Sequence, residues 1–171
     1  MDLRYPVGPF TLPSPITREM RLSGISEIAA FPSKLQDVAA VLAEEQSLDK
    51  PYREGGWTAR QVIHHVADSH MNSYIRFCLA LTESNPVIKP YDEAAWAELP
   101  NAKSGPVEVS LRLIDSLHER WVRLMLEMAP EQFARTFRHP ELGERTLDAT
   151  VLLYAWHCRH HLGHLELIAK D

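Results

Sequence analysis

Nine of the 171 residues are histidine, and four of them stand within residues 156–165. In Trp156-His157-Cys158-Arg159-His160-His161-Leu162-Gly163-His164 the pairs His157/His161 and His160/His164 are each spaced i, i+4. On a helix both imidazoles of such a pair face the same way, so either pair can chelate one ion. Projected at about 100° per residue, the four rings fall within an arc of about 100° that also holds Leu153 and Ile168, with Arg159, Glu166 and Lys170 opposite. A lone histidine is more simply a partly exposed polar residue. Four on one inward arc need partners for their lone pairs, and a divalent cation bound by neutral imidazoles satisfies them without adding donors.

Two ligands from one helix leave tetrahedral zinc or octahedral nickel unsatisfied, so a third is expected from another segment. His64, His65 and Asp68 are the candidates. On a helix, Gln61, His65, Asp68, Ser69, Asn72 and Arg76 form one polar stripe with His65 at its middle, beside Val62, Val66, Phe77 and Leu81. If His65, His157 and His161 hold one ion, three protein ligands leave a coordination position open, as in catalytic rather than structural sites. A metal there lowers the pKa of water toward about 7, or binds and activates a thiolate. Asp68, one turn from His65, fits an acceptor beside a ligand or a general base, and Asn72 and Arg76 fit groups that orient an anionic substrate. All three are equally well read as surface polar residues. Cys78 and Cys158 read as small buried hydrophobes, and Trp57, Trp96, Trp121 and Trp156 as core or cap packing.

These residues must be held by helices. Residues 1–22 carry Pro6, Pro9, Pro13 and Pro15 and lack helical period, which predicts an extended arm lying over the domain. Ile25, Ile28, Leu35, Val38, Ala39 and Leu42 predict a first helix over about residues 25–45, kinked or split at Pro32. Thr58 and Gln61 make a capping-box signature for a second helix that ends near Glu83, before Asn85 and Pro86. The connection over residues 85–105 has room for one short helix at about residues 92–99. Gly105 and Pro106 open a third long helix with Val109, Leu113, Leu117, Trp121, Leu124 and Met128 on its apolar face, ending near Ala129. A small hairpin is expected over residues 130–146, turning through Pro140 and Gly143, and Thr146 caps a fourth helix that runs to the C-terminus. Four amphipathic helices predict an all-α four-helix bundle in one domain over residues 1–171, and a bundle interior is a usual place for a metal site.

Composition narrows the function. At 171 residues the chain suits one domain that buries about 70% of its unfolded surface, so a core forms without disulfides. Two cysteines without CxxC spacing are too few for a secreted framework. A net charge of -5 and the lack of a Lys/Arg run argue against nucleic acid as a partner. The first twenty residues lack a signal-peptide pattern, and no stretch reaches 18 apolar residues, so a cytoplasmic protein away from membranes is expected.

The stretch Gly55-Gly56-Trp57-Thr58-Ala59-Arg60-Gln61-Val62-Ile63-His64-His65-Val66-Ala67-Asp68-Ser69-His70, continuing to Phe77, together with Tyr154-Ala155-Trp156-His157-Cys158-Arg159-His160-His161, closely resembles the YfiT-like branch of the DinB superfamily. The opening Tyr5-Pro6-Val7-Gly8-Pro9-Phe10 and the segments Ile88-Lys89-Pro90-Tyr91 and Trp96-Ala97-Glu98-Leu99 resemble it too, so the likeness covers nearly the whole chain. It implies an up-down-down-up four-helix bundle with one divalent metal per chain, zinc first and nickel second, held by three histidines. The family's first ligand falls eight residues after a tryptophan, which is His65 after Trp57, and the last two are an HxxxH pair. In the wider superfamily Arg-Gly-Gln commonly follows that pair. Here Leu162-Gly163-His164 does, which places the pair at His157 and His161, leaves His64 and His160 as neighbours, and puts His164 where glutamine is usual.

Members similar to this chain are described as metal-dependent hydrolases and homodimers, and related proteins transfer low-molecular-weight thiols such as bacillithiol, mycothiol or glutathione. The resemblance thus implies a metal-dependent hydrolase acting on a small molecule, with a thiol S-transferase as the alternative. A bundle that binds metal or a small ligand without catalysis, and a helical interaction protein, are the readings outside enzymology. Fold and site transfer between relatives more readily than reaction does.

Overall fold

A computed structural model describes residues 2–169. In chain order it contains α1 (Arg18–Glu44), α2 (Ala59–Thr82), α3 (Glu93–Ala97), α4 (Pro100–Ser104), α5 (Val107–Glu127), a 3-10 turn (Pro130–Ala134), β1 (Thr136–His139), β2 (Gly143–Thr146) and α6 (Leu147–Ala169). The four long helices are α1, α2, α5 and α6, and their side-chain contacts fix the directions. Arg21 meets Asp148 and Glu27 meets Arg159, so α1 and α6 run parallel. His64 meets Ser110 and His70 meets His118, so α2 and α5 run parallel. His65 lies by His161 and Ser69 by Tyr154, so α2 opposes α6. The bundle is therefore up-down-down-up, and one cluster of buried side chains fills it, among them Leu35 and Leu42 of α1, Ile63 and Phe77 of α2, Trp121 of α5 and Leu165 of α6. Each large apolar side chain so buried contributes about 1.5–3 kcal/mol. Gly24 lets α1 approach α6 closely: a Cβ there would lie 3.0 Å from Val151.

The N-terminal arm, residues 2–17, has neither helix nor strand and lies along α6. The indole of Trp156 donates to Gly8 O at 3.0 Å, and a Cβ on Gly163 would meet Pro6 at 3.0 Å. α1 starts at Arg18, seven residues before the expected start, because Thr17 caps it by accepting from Met20 N at 3.3 Å. Its first turn, residues 18–20, is exposed and so leaves no apolar period to read. Nor does Pro32 split α1, which is one continuous helix through it.

α5 corrects the expected face. Val109 and Leu113 are exposed (47% and 41%), while Ser110 and His118 are buried beside Ile114, Leu117 and Trp121. The two polar residues are tolerated inside because each is hydrogen-bonded to a histidine of α2, pairings that hydropathy does not register. The connection after α2 holds α4 as well as the expected short helix, α3, whose cap is Asp92. β1 and β2 form the expected antiparallel hairpin, Thr136 opposite Thr146, and Ile88 and Pro86 pair with Arg138 so that the connection is strapped to it. Thr146 then accepts from Ala149 N at 3.1 Å and starts α6. Among the described residues no helix is long and apolar enough to cross a membrane.

Candidate metal centre

The start of α2 is set by a complete capping box, in which Gln61 N donates to Thr58 Oγ1 at 3.2 Å and Thr58 N to Gln61 Oε1 at 3.0 Å. His65 follows Gln61 by one turn and faces α6, its ring tilted against that of Trp57 with centroids 4.7 Å apart. On α6 the i, i+4 spacing brings His157 Nε2 to 3.1 Å from His161 Nε2. One ring nitrogen from each of His65, His157 and His161 lies within 4.8 Å of the others, and His160, His161 and His164 form a second group of that size. His65 and His161 are buried and His157 is partly buried.

These rings form the wall of a cavity of about 440 Å³, together with Arg4, Tyr5, Tyr52, Arg53 and Glu93. An adjoining cavity of about 680 Å³ shares His157 and Glu93 and runs past Tyr91, His139 and Tyr154 to Arg76. Burial lowers the pKa of His65 to about 4, with the charges that His160 and His164 would carry adding to it. His157 and His161 are lowered well below the ordinary value, first by burial and then by the neighbouring imidazoles. At neutral pH the three rings are uncharged, with lone pairs available. That donor set fits a divalent cation of borderline softness such as zinc or nickel.

The other residues singled out by sequence fall as follows. His64 points away from the cavity, its Nδ1 2.7 Å from Ser110 Oγ and its Nε2 3.3 Å from Gly105 O. Arg76 stands at the far end of the adjoining cavity. Asp68 and Asn72 are on neither cavity wall: the Asn72 amide donates to Asp68 O at 2.8 Å, and partial burial raises the Asp68 carboxyl. Of the stripe that holds them on α2, Ser69 and Arg76 do line the adjoining cavity. His164 stacks on Tyr52 with ring centroids 4.0 Å apart and its Nε2 lies 3.3 Å from Arg4 O. His160 has a buried Nδ1 without a hydrogen-bond partner among the described residues. Cys158 is buried, which pushes its thiol well up, and neither cysteine reaches the cavity.

Sequence reasoning missed Arg4, Tyr5, Tyr52, Arg53 and Glu93, which reach the cavity from the arm, a loop and α3, where no periodic signal exists. It also missed His70 and His118, neither of which has a second histidine one turn away in its own helix.

Residues 28–165 match the DinB superfamily. Proteins of Bacillus cereus and Bacillus anthracis, each named "Putative metal-dependent hydrolase", are 56% identical over 99% of this chain and 96% of their own. The solved structure of YfiT from Bacillus subtilis, described as "a probable metal-dependent hydrolase with an unusual four-helix bundle topology", superposes with a TM-score of 0.95 at 43% identity, covering 99% of this chain and 97% of that one.

Proposed function

Because the chain belongs to the DinB superfamily, in its YfiT-like branch, we propose that it is a metal-dependent hydrolase whose single divalent cation, zinc first and nickel second, is held by His65, His157 and His161. The observation that carries the reading is the convergence of three neutral ring nitrogens within 4.8 Å on a cavity wall. A cation with three protein ligands keeps a position open at which it acidifies water and polarises a carbonyl. The protein's own part is distinct. The three rings stay uncharged and supply lone pairs. Arg53 offers positive charge to an anionic part of a small substrate, the neighbouring Arg4 being paired with Asp2, and Arg76 does the same for one that extends into the adjoining cavity. Glu93 and His160, on the same wall, are the groups placed to take a proton. Asp68 and Asn72 have no part in this reading.

One observation favours thiol transfer as the second reading. No cysteine of the chain reaches the cavity, so a thiol would come from a co-substrate, and Arg53 suits an acidic low-molecular-weight thiol. The test is elemental analysis of untagged protein beside alanine variants at the three histidines. About one metal per chain, lost in each variant, supports the site; metal retained in all three refutes it. Turnover of esters or amides then separates hydrolysis from consumption of an electrophile that requires an added thiol. A homodimer is part of the same proposal and is read by sedimentation.

A further inference from the structure

The second nitrogen of His157 does not face water. His157 Nδ1 lies 3.0 Å from His70 Nε2, His70 Nδ1 lies 2.7 Å from His118 Nε2, and His118 Nδ1 lies 2.7 Å from the carbonyl oxygen of Ile28. The chain crosses all four long helices, from α6 through α2 and α5 to α1. His70 is 0% and His118 1% exposed. Phe31 lies 5.7 Å from both rings, Trp121 meets both edge-on, and Tyr154 meets His70 edge-on at 5.0 Å. Such a box disfavours a charged imidazole.

The direction of the chain follows from counting protons. A carbonyl oxygen only accepts, so His118 carries its proton on Nδ1. A neutral ring has one N–H, so His118 Nε2 accepts from His70 Nδ1, and His70 Nε2 accepts from His157 Nδ1. His157 is left with an unprotonated Nε2, the atom that faces His161. The anchor is available because residue 32 is proline. In a regular helix Ile28 O would accept from the N–H of residue 32, and Pro32 has none.

We propose that His118 and His70 are positioning residues for His157: anchored on the carbonyl that Pro32 frees, they lock its tautomer and aim its Nε2 lone pair at the metal. This rests on the three-histidine reading above. Partners behind a ligand histidine are usually a carboxylate, a carbonyl or water, and their loss typically costs about 10–100-fold in metal affinity. Here two further imidazoles carry that role to a carbonyl on the far side of the bundle.

The imidazole nitrogens of the full-length chain, metal-free and zinc-loaded, decide the point by long-range proton–nitrogen correlation near neutral pH. His118 and His70 are expected as Nδ1-protonated neutral rings in both states; an Nε2 proton or a cationic ring at either overturns the proposal. Zinc competition with a chromophoric chelator gives the second readout. His118→Gln keeps a donor for Ile28 O and an acceptor for His70, and is expected to hold zinc nearly as wild type does, whereas His118→Leu weakens it about 10–100-fold. Equal zinc affinity in folded His118→Leu overturns the proposal. Should that variant not fold, the tautomers of the wild-type chain still decide. Failure of the site reading is a separate result, namely wild-type zinc binding that is absent or that survives His65→Ala.

Discussion

On α2 the ring of His64 turns to Ser110 and Gly105, while that of His65, next in the sequence, turns to α6 and its histidines. The two positions therefore predict opposite outcomes. His65→Ala removes a ligand, so bound zinc should be lost from a protein that still melts cooperatively. His64→Ala leaves Ser110 without its partner, so it should keep its zinc and lose about 1–3 kcal/mol of stability, read by urea unfolding alongside elemental analysis. The i, i+4 pairs of α6 are legible as neighbouring rings because both members lie on one helix. His70 was not legible: its importance comes from His118, 48 residues away, and from His157, 87 residues away.

Among the elements, α2 matters most because its start sets the angular phase of His65. Thr58→Ala removes the side-chain half of the capping box and should cost about 1 kcal/mol, measured by denaturant unfolding, with zinc binding retained once the protein is folded. α1 shows how one residue can serve two purposes. Its proline predicts a kink or a split, yet the helix continues and the freed carbonyl becomes the anchor for His118. Pro32→Ala would supply an N–H that competes for Ile28 O. We expect helix content and melting temperature equal to or above wild type, since proline is the worst interior helix former, together with zinc affinity lower by no more than about tenfold. Circular dichroism and chelator competition separate the two effects. The face of α5 was misread because Ser110 and His118 sit inside only by virtue of partners on another helix.

Over the whole molecule, several neutral imidazoles are enclosed in one bundle, and that makes its stability depend on pH. The pKa of His118 is lowered from 6.5 to about 4, chiefly by burial. Below about 6.5 the unfolded chain binds more protons than the folded one. The contribution of His118 is thus fully present above that value and is lost as pH falls toward about 4, amounting to about 3 kcal/mol at about 1.4 kcal/mol per unit. Urea unfolding of metal-free protein at steps through this window should show stability falling with acidity, and less steeply in His118→Gln. A flat profile would mean that the folded chain takes up these protons as readily as the unfolded one.

The four long helices, the capped starts of α2 and α6, the i, i+4 histidine pairs on α6, and the hairpin that precedes it are all written locally, within a few turns of chain, and local hydrogen bonding and hydropathy suffice to read them. The family and its bundle were legible from the motif around Trp57 and His65 and from the HxxxH pair. Tertiary structure alone decided which polar residues are inside. Burying His64, His70, His118 or Ser110 is tolerated only where a partner from another helix meets it, and no periodicity within one helix encodes that partner. The same reason separates Asp68 and Asn72 from the cavity and brings Arg4, Arg53 and Glu93 to it: a stripe on one helix says which residues share a face, and only packing says what that face meets.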